Sequence, residues 1–388
     1  MAQPLPYQKE IYSRQNVIDI HFFTAPLAVI GGMWRELERE LNSTDIACSW
    51  LWTETWLGHY KDQVDYCFAV GKLGGKIVGI ALVTVAKSVL RFRGTVHIGT
   101  AGEARGHSVD VENNRLLVTP ALRTKFALSL ISAIRQEFRP FAIHLDKFLP
   151  ADLAAMNDAQ PGLTVTDHAC PVFDFSRVGQ EYPDVLSAMG SGVRGRIRRS
   201  NRGFGALSGE WATTIDHALD IFDELQVLHQ RRWEREGRRG AFASTNFAGF
   251  HREFITRSMT DPLRVMLFRL RHGDVTIGCL YGFIENGTVL FYQSGFVDVE
   301  DNHLKPGLST HAACMQQCFD RGLRSYNFLA GEARYKRELA NSELLLQSGI
   351  AFRYRGTTVL LEQIQRLGLV DRARAVKRWR ERRSVVRA

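Results

Sequence analysis

VMLFRLRHGDVTIGCLYGFIENGTVLFYQSGF, residues 265–296, is the stretch from which the fold is read. It divides into strands at 265–270, 276–284 and 289–296, joined by turns at His272-Gly273-Asp274 and Glu285-Asn286-Gly287 that carry the residue types of tight hairpins. The pattern then changes. A polar loop, 298–305, leads into Pro306-Gly307, after which Leu308, Ala312, Met315 and Phe319 recur at helical spacing until Gly322 stops the helix. A strand at 325–329 and the polar turn Gly331-Glu332-Ala333-Arg334-Tyr335-Lys336 follow, so antiparallel hairpins feed a strand, a helix and a further strand.

Such a unit offers anion capture at a helix start, where the first backbone N–H groups lack intrahelical partners and the dipole favours negative charge. Gly307 admits a bulky pyrophosphate to the backbone of Gly307, Leu308 and Ser309, Lys305 adds a point charge and Ser309 a hydroxyl. Taken alone, a Pro-Gly before a helix is most often only a start signal.

Phe291-Tyr292-Gln293-Ser294-Gly295-Phe296, Lys305-Pro306-Gly307, and the run Gly322-Leu323-Arg324-Ser325-Tyr326-Asn327-Phe328-Leu329-Ala330-Gly331-Glu332-Ala333-Arg334-Tyr335-Lys336 together resemble the C-terminal signature of the CelD-like and FemABX-like branch of the GNAT acyltransferases. Weaker similarity runs from about residue 50 to 352. The resemblance implies an α/β (α+β) fold of two tandem GNAT-like domains with mixed, largely antiparallel sheets flanked by helices. It also implies an acyl-CoA donor, with acetyl-CoA the expected thioester. One position departs: members of the branch usually carry Asp where this chain has Asn327.

A chain of 388 residues, 45% of them hydrophobic, buries a substantial core and suits two domains. No apolar run approaches the ~18 residues that cross a bilayer, and the first seven residues lack the apolar stretch of a signal peptide, so cytoplasmic residence is expected, peripheral to the inner membrane if the tail binds lipid. Cys48, Cys67, Cys170, Cys279, Cys314 and Cys318 read as buried thiols. Cys314 and Cys318 stand one turn apart near His311 without a second ligand pair, and no metal is expected. Of the net charge of +9, most belongs to residues 366–388, where nine Lys and Arg face two acids. Leu369, Ala373, Val376 and Trp379 form a narrow apolar stripe there, which suits an anionic membrane surface, an acidic partner or a helix lying back on the body.

The first half echoes the second. A helix at 26–41 precedes an aromatic segment, 44–60, whose Trp50, Trp52 and Trp56 read first as core and second as a stacking surface. Strands at 66–71, 76–85 and 95–100, a helix at 122–138 and a strand at 141–145 repeat the later order, which suggests an internal duplication. The polar loop Gly102-Glu103-Ala104-Arg105-Gly106-His107-Ser108-Val109-Asp110 is of the kind that lines a cleft, and His107 and Asp110 are candidates to hold a substrate amine or hydroxyl. Arg194, Arg196, Arg198, Arg199 and Arg202 crowd one segment; Arg194, Arg198 and Arg199 are candidate phosphate contacts, against the alternative of a solvated basic face. His229, on a helix expected at 218–236, is a candidate base and equally a structural histidine.

The expected division is an N-terminal arm, 1–17, a first GNAT-like domain, 18–175, an acyltransferase domain, 176–365, and a basic tail, 366–388. For catalysis Glu332 is the expected base, Tyr335 the acid for the departing thiolate, Lys336 the oxyanion or acceptor ligand, and Asn327 an orienter beside Tyr292 and Gln293. The acceptor class is a small molecule or glycan precursor in envelope or polysaccharide metabolism; acyl carrier protein is a further donor, and nucleic acid is not expected. Two other classes compete: a FemABX-like aminoacyl transferase fed by charged tRNA, which a long inserted helical hairpin would favour, and a non-catalytic binding protein on a degenerate scaffold.

Overall fold

The computed structural model describes residues 17–43, 45–86, 94–104, 106–159, 162–259 and 264–353. The expected basic tail and nearly all of the N-terminal arm lie outside these residues. The first half runs β1 (Asp19–Phe23), α1 (Leu27–Leu41), α2 (Trp50–Tyr60), β2 (Val64–Leu73), β3 (Lys76–Ala86), β4 (Thr95–Ile98), β5 (Leu117–Val118), α3 (Arg123–Glu137), β6 (Ala142–Phe148), α4 (Pro150–Ala159) and β7 (Thr164–Asp174). The second runs α5 (Val185–Ala188), α6 (Ser191–Phe204), β8 (Ser208–Trp211), α7 (Ile215–Arg235), α8 (Thr245–Ser258), β9 (Val265–His272), β10 (Val275–Glu285), β11 (Thr288–Phe296), α9 (Pro306–Asp320), β12 (Ser325–Asn327), α10 (Arg334–Leu339) and β13 (Ser342–Phe352).

The expected hairpins form where the turn chemistry put them. Asn286 and Gly287 both take positive φ, 48° and 69°, the geometry that matches the twist of paired strands. All strands join one mixed sheet in the order β1-β2-β3-β4-β6-β13-β7-β12-β11-β10-β9-β8, with β5 attached to β3. Read inward from the two edges, β1-β2-β3-β4-β6 and β8-β9-β10-β11-β12 are the same arrangement, each with one parallel pair, β4 with β6 and β11 with β12. Helices α3 and α9 make these two crossovers, as parallel strands require. In the middle the halves exchange strands: β13, the last strand of the second half, pairs with β6 of the first, and β7, the last of the first, pairs with β12 of the second.

Two cores lie within the halves and a third is shared. Phe126, Leu130, Ile131 and Phe148 centre the first, and Phe268, Met315 and Phe328 the second, which Phe173 of β7 joins from the first half. In the shared core Trp52, 2% exposed, sets its ring edge-on to Phe250, Phe254 and Phe283 of the second half at 4.8, 5.2 and 5.4 Å. Trp50 and Trp56 are equally buried, so the aromatic segment is core.

A polar contact crosses the same seam. The Ile46 N–H donates to Glu285 Oε2 at 2.8 Å, Arg115 pairs with Asp45 Oδ2 at 2.9 Å, and the buried Asp45 Oδ1 has no donor among the described residues. Burial, then the charge of Asp45, pushes the Glu285 carboxyl up to about 7. A proton on Glu285 directed at Asp45 satisfies both oxygens.

Candidate active site

Strands β11 and β12 hold together only from Thr288↔Ser325 to Leu290↔Asn327 and then part. From Phe291 onward β11 has no strand on that side among the described residues, and the register with β10 slips so that Tyr292 is the extra residue of a bulge. Phe296, at the far end of β11, stands beside the start of α9: a Cβ on Gly307 would lie 3.3 Å from its ring. The result is an opened strand edge with a helix N-terminus at its mouth. Among the described residues the amides of Gly307 and Leu308 make no bond to the protein, while Ser309 N–H donates to Lys305 O at 3.0 Å.

Of the residues expected to meet a cofactor, Leu308 and Ser309 are buried, and Lys305 and Gly307 are half-buried. Helix α6 reaches this point through Ser200, whose hydroxyl accepts from Lys305 N–H at 2.8 Å and shares a 2.8 Å bond with Ser309 Oγ. Ser309 is therefore engaged inside the protein. Arg199 precedes Ser200 by one residue on α6, about 100° around the helix. Arg198, two residues or about 200° around the helix, faces away, and both are exposed. Arg194 donates instead to Ser187 O at 2.7 Å. Arg196, flanking Ser200, pairs with Glu338 of α10 at 2.9 Å.

On the other side of the opened edge is a cleft of about 260 Å³, lined by both halves. Asp110 and Glu112 come from the loop after β4, Phe247 from α8, Phe291, Tyr292 and Gln293 from β11, and Leu329, Ala330 and Lys336 from the turn after β12 and from α10. The structure thus brings together Asp110, Tyr292, Gln293 and Lys336 of the expected set. His107 stands beside them with its Nδ1 spent on Ser244 Oγ at 2.8 Å, which ties the loop to the start of α8. Tyr292 donates its hydroxyl to Val109 O and so fixes the same loop.

Two cleft groups escaped the sequence reading, Glu112 and Lys147. Lys147 Nζ bridges Asp110 at 2.7 Å and Glu112 at 2.9 Å, and the second Glu112 oxygen accepts from Ala330 N–H at 2.7 Å. Burial opposes the Lys147 charge, but Glu112 and Asp110 more than offset it and hold the ammonium above its ordinary value. No sequence spacing links residues 112, 147 and 330. The backbone around them is unusual: Lys147 takes positive φ, 48°, and so do Asp110, Asn113 and Leu329 beside Glu112 and Ala330, at 50° to 57°. Non-glycine residues in that region concentrate at functional sites.

Lys336 Nζ donates to Ala330 O at 2.8 Å and Leu329 O at 3.4 Å, which leaves a third N–H for the cleft. Burial draws its pKa down, partly countered by Glu112. It forms no ion pair with Glu332 among the described residues; Glu332 is exposed and outside the cleft lining. Asn327 is buried, and its Oδ1 accepts from Leu329 N–H at 2.8 Å, holding Leu329 in its left-handed turn. Orientation of the turn is therefore what its side chain does here.

Two expected proton carriers sit elsewhere. Tyr335, one residue from Lys336, turns from the cleft to stack on His311 at 5.4 Å, and burial pushes its phenol up to about 12. A phenol of that strength is a weaker acid than a thiol of ordinary pKa about 8.5, so it can hydrogen-bond a thiolate but not favourably protonate it. His229 is buried on α7, its Nε2 accepting from Trp233 Nε1 at 2.9 Å. Burial, then Arg232, takes it down to about 4, and the lone pair a base needs is already used. Its role in this geometry is structural.

Residues 191–337 match the profile of the acetyltransferase (GNAT) domain family. No curated protein matches the chain. Among solved structures the chain resembles FemX, at 10% identity and a TM-score of 0.56 over 88% of this chain and 100% of that one. It also resembles L-PGS from Bacillus licheniformis, at 10% identity and 0.50 over 87% and 95%. At such identities the likeness is one of fold. Residues 191–337 thus match the acetyltransferase (GNAT) domain family, and the chain as a whole shares its fold with FemX and L-PGS.

Proposed function

We propose that the chain is an acyltransferase that moves an acyl group from an acyl-CoA thioester to an amine or hydroxyl acceptor held in the cleft between its halves. The observation that carries this reading is the opened edge of β11 with the unpaired amides of Gly307 and Leu308 at its mouth. An extended amide-containing arm can pair along such an edge, as a strand would, while a pyrophosphate takes the helix start. Lys305 stands at that point and adds positive charge, and we assign the exposed Arg199 of α6 to the same phosphates.

The acceptor then enters from the cleft. Asp110, whose side chain is 66% exposed, takes the acceptor proton as the nitrogen or oxygen lone pair attacks the thioester carbonyl carbon. We assign this step to Asp110 rather than Glu332 because Asp110 lines the cleft and Glu332 does not. The third N–H of Lys336 steadies the carbonyl oxygen as it gains charge, and Gln293 orients the acceptor. When the C–S bond breaks, sulfur leaves with the electron pair as a thiolate and takes its proton from solvent.

The aminoacyl-tRNA alternative rests on fold likeness to FemX. Helices α7 and α8 do not project as a hairpin for RNA; they pack against the sheet and against α2. Titration calorimetry with acetyl-CoA tests the donor: one saturable site is expected, and Arg199→Glu should weaken it at least tenfold, about 1.4 kcal/mol. Gly307 is a poorer probe, because an added side chain also meets the Phe296 ring. Absence of heat with any CoA thioester, alongside transfer from a charged tRNA, would overturn the proposal.

A further inference from the structure

We propose that His97, His144 and Asp146 form a site for a divalent transition-metal ion of the zinc type, in the first half and separate from the cleft lining. The parallel pairing of β4 with β6 sets His97 directly opposite His144, with ring centres 5.1 Å apart. Asp146 lies two residues further along β6 and so projects from the same face. One donor atom from each of the three lies within 4.8 Å of the others.

The surroundings suit a cation. The side chains of His97 and Asp146 are 13% and 37% exposed, so an ion can reach the group from solvent while protein walls off the rest. The loop after β4 passes over it closely, a Cβ on Gly102 falling 3.4 Å from the His97 ring. Next in that loop, Glu103 accepts from Val109 N–H at 3.0 Å through Oε1, whereas its buried Oε2 has no partner among the described residues.

Two imidazoles among three donors select zinc, cobalt, nickel or copper over magnesium or calcium, which prefer oxygen. Three donors leave a fourth position for water. On binding, the metal replaces the 2.8 Å hydrogen bond between His97 Nδ1 and Asp146 Oδ2 and pins β4 to β6 at the root of the loop that carries Asp110 and Glu112. Its state then bears on how rigidly those carboxylates are presented.

Chelator-stripped full chain titrated with Zn²⁺ should bind one equivalent that His144→Ala and Asp146→Asn each weaken at least tenfold. Co²⁺ should show the visible absorption of a low-coordinate site in the parent protein and lose it in both variants. The six cysteines are all buried and do not compete in the folded chain. His144→Ala leaves the His97–Asp146 bond in place, so it keeps the test valid should Asp146→Asn fold poorly by circular dichroism. Equal Zn²⁺ affinity in parent and folded His144→Ala, or no Zn²⁺ uptake by the parent, would show that the pair is only a hydrogen bond.

Discussion

Replacing Glu285 by glutamine should make the protein more stable at alkaline pH and leave it nearly unchanged in acid. The carboxyl sits at about 7 in the fold against an ordinary value of 4.5. A group whose pKa is raised on folding contributes stability that is fully present below the unfolded value and is lost as pH rises through the folded one. Here the window runs from about pH 4.5 to just above 7. Over that interval the difference corresponds to about 3 kcal/mol. Glutamine reproduces the neutral form. Its oxygen can accept the Ile46 N–H and its NH₂ can donate to the orphaned Asp45 Oδ1. Buried histidines such as His251 and His311 titrate in the opposite sense, their pKa lowered by burial. The quantity to measure is therefore the variant-minus-parent difference from urea denaturation at pH 5, 6.5 and 8. A difference that stays constant across the three would refute the raised pKa of the buried Glu285 carboxyl.

With a working acceptor in hand, Asp110→Asn is expected to cut turnover about a hundredfold and Lys336→Met at least tenfold, with unchanged circular dichroism, while Glu332→Gln stays near normal. Steady-state rates that fall for Glu332→Gln and hold for Asp110→Asn would exchange their roles. Asn327→Ala should lower unfolding free energy by about 1–3 kcal/mol, since it strips the buried Leu329 N–H of its acceptor and releases a left-handed turn; equilibrium denaturation checks this. Arg269 is 6% exposed and meets Glu210, Asp220 and Glu224 at 2.7, 2.8 and 3.1 Å. Arg269→Leu should cost about 3 kcal/mol by leaving those acids to face one another, less than for a dry pair because they are partly solvated.

Legibility in the sequence tracked the range over which each feature is determined. The hairpins of 265–296 and the helix after Pro306-Gly307 could be read because turn residues and apolar period are local properties. Lys336 and Asp110 could be placed near a cleft because polar, glycine-rich turns carry such residues. Strands β7 and β13 could not: Thr164, Thr166, Asp167 and His168 break the alternation of one, and each finds its partner in the other, some 180 residues away. The separate fates of Tyr335 and Lys336 were equally hidden, since adjacent residues on a helix point about 100° apart and only packing decides which faces His311. Glu285 read as a turn residue and proved to be a buried link to Asp45 and Ile46, a contact with no sequence-local trace.

The central strand exchange has a consequence for how the chain acquires its structure. Until residues 342–352 leave the ribosome, β6 has β4 on one side and no strand on the other, and β7 can meet neither β13 nor, before residue 325, β12. A nascent first half therefore waits with an open sheet edge while the second half is translated, about ten to forty seconds at ordinary elongation rates. Such edges invite pairing with other chains. Closure needs contacts of long sequence separation, which form slowly. Synthesis of this protein should accordingly be sensitive to chaperone supply in proportion to the delay before β13 emerges.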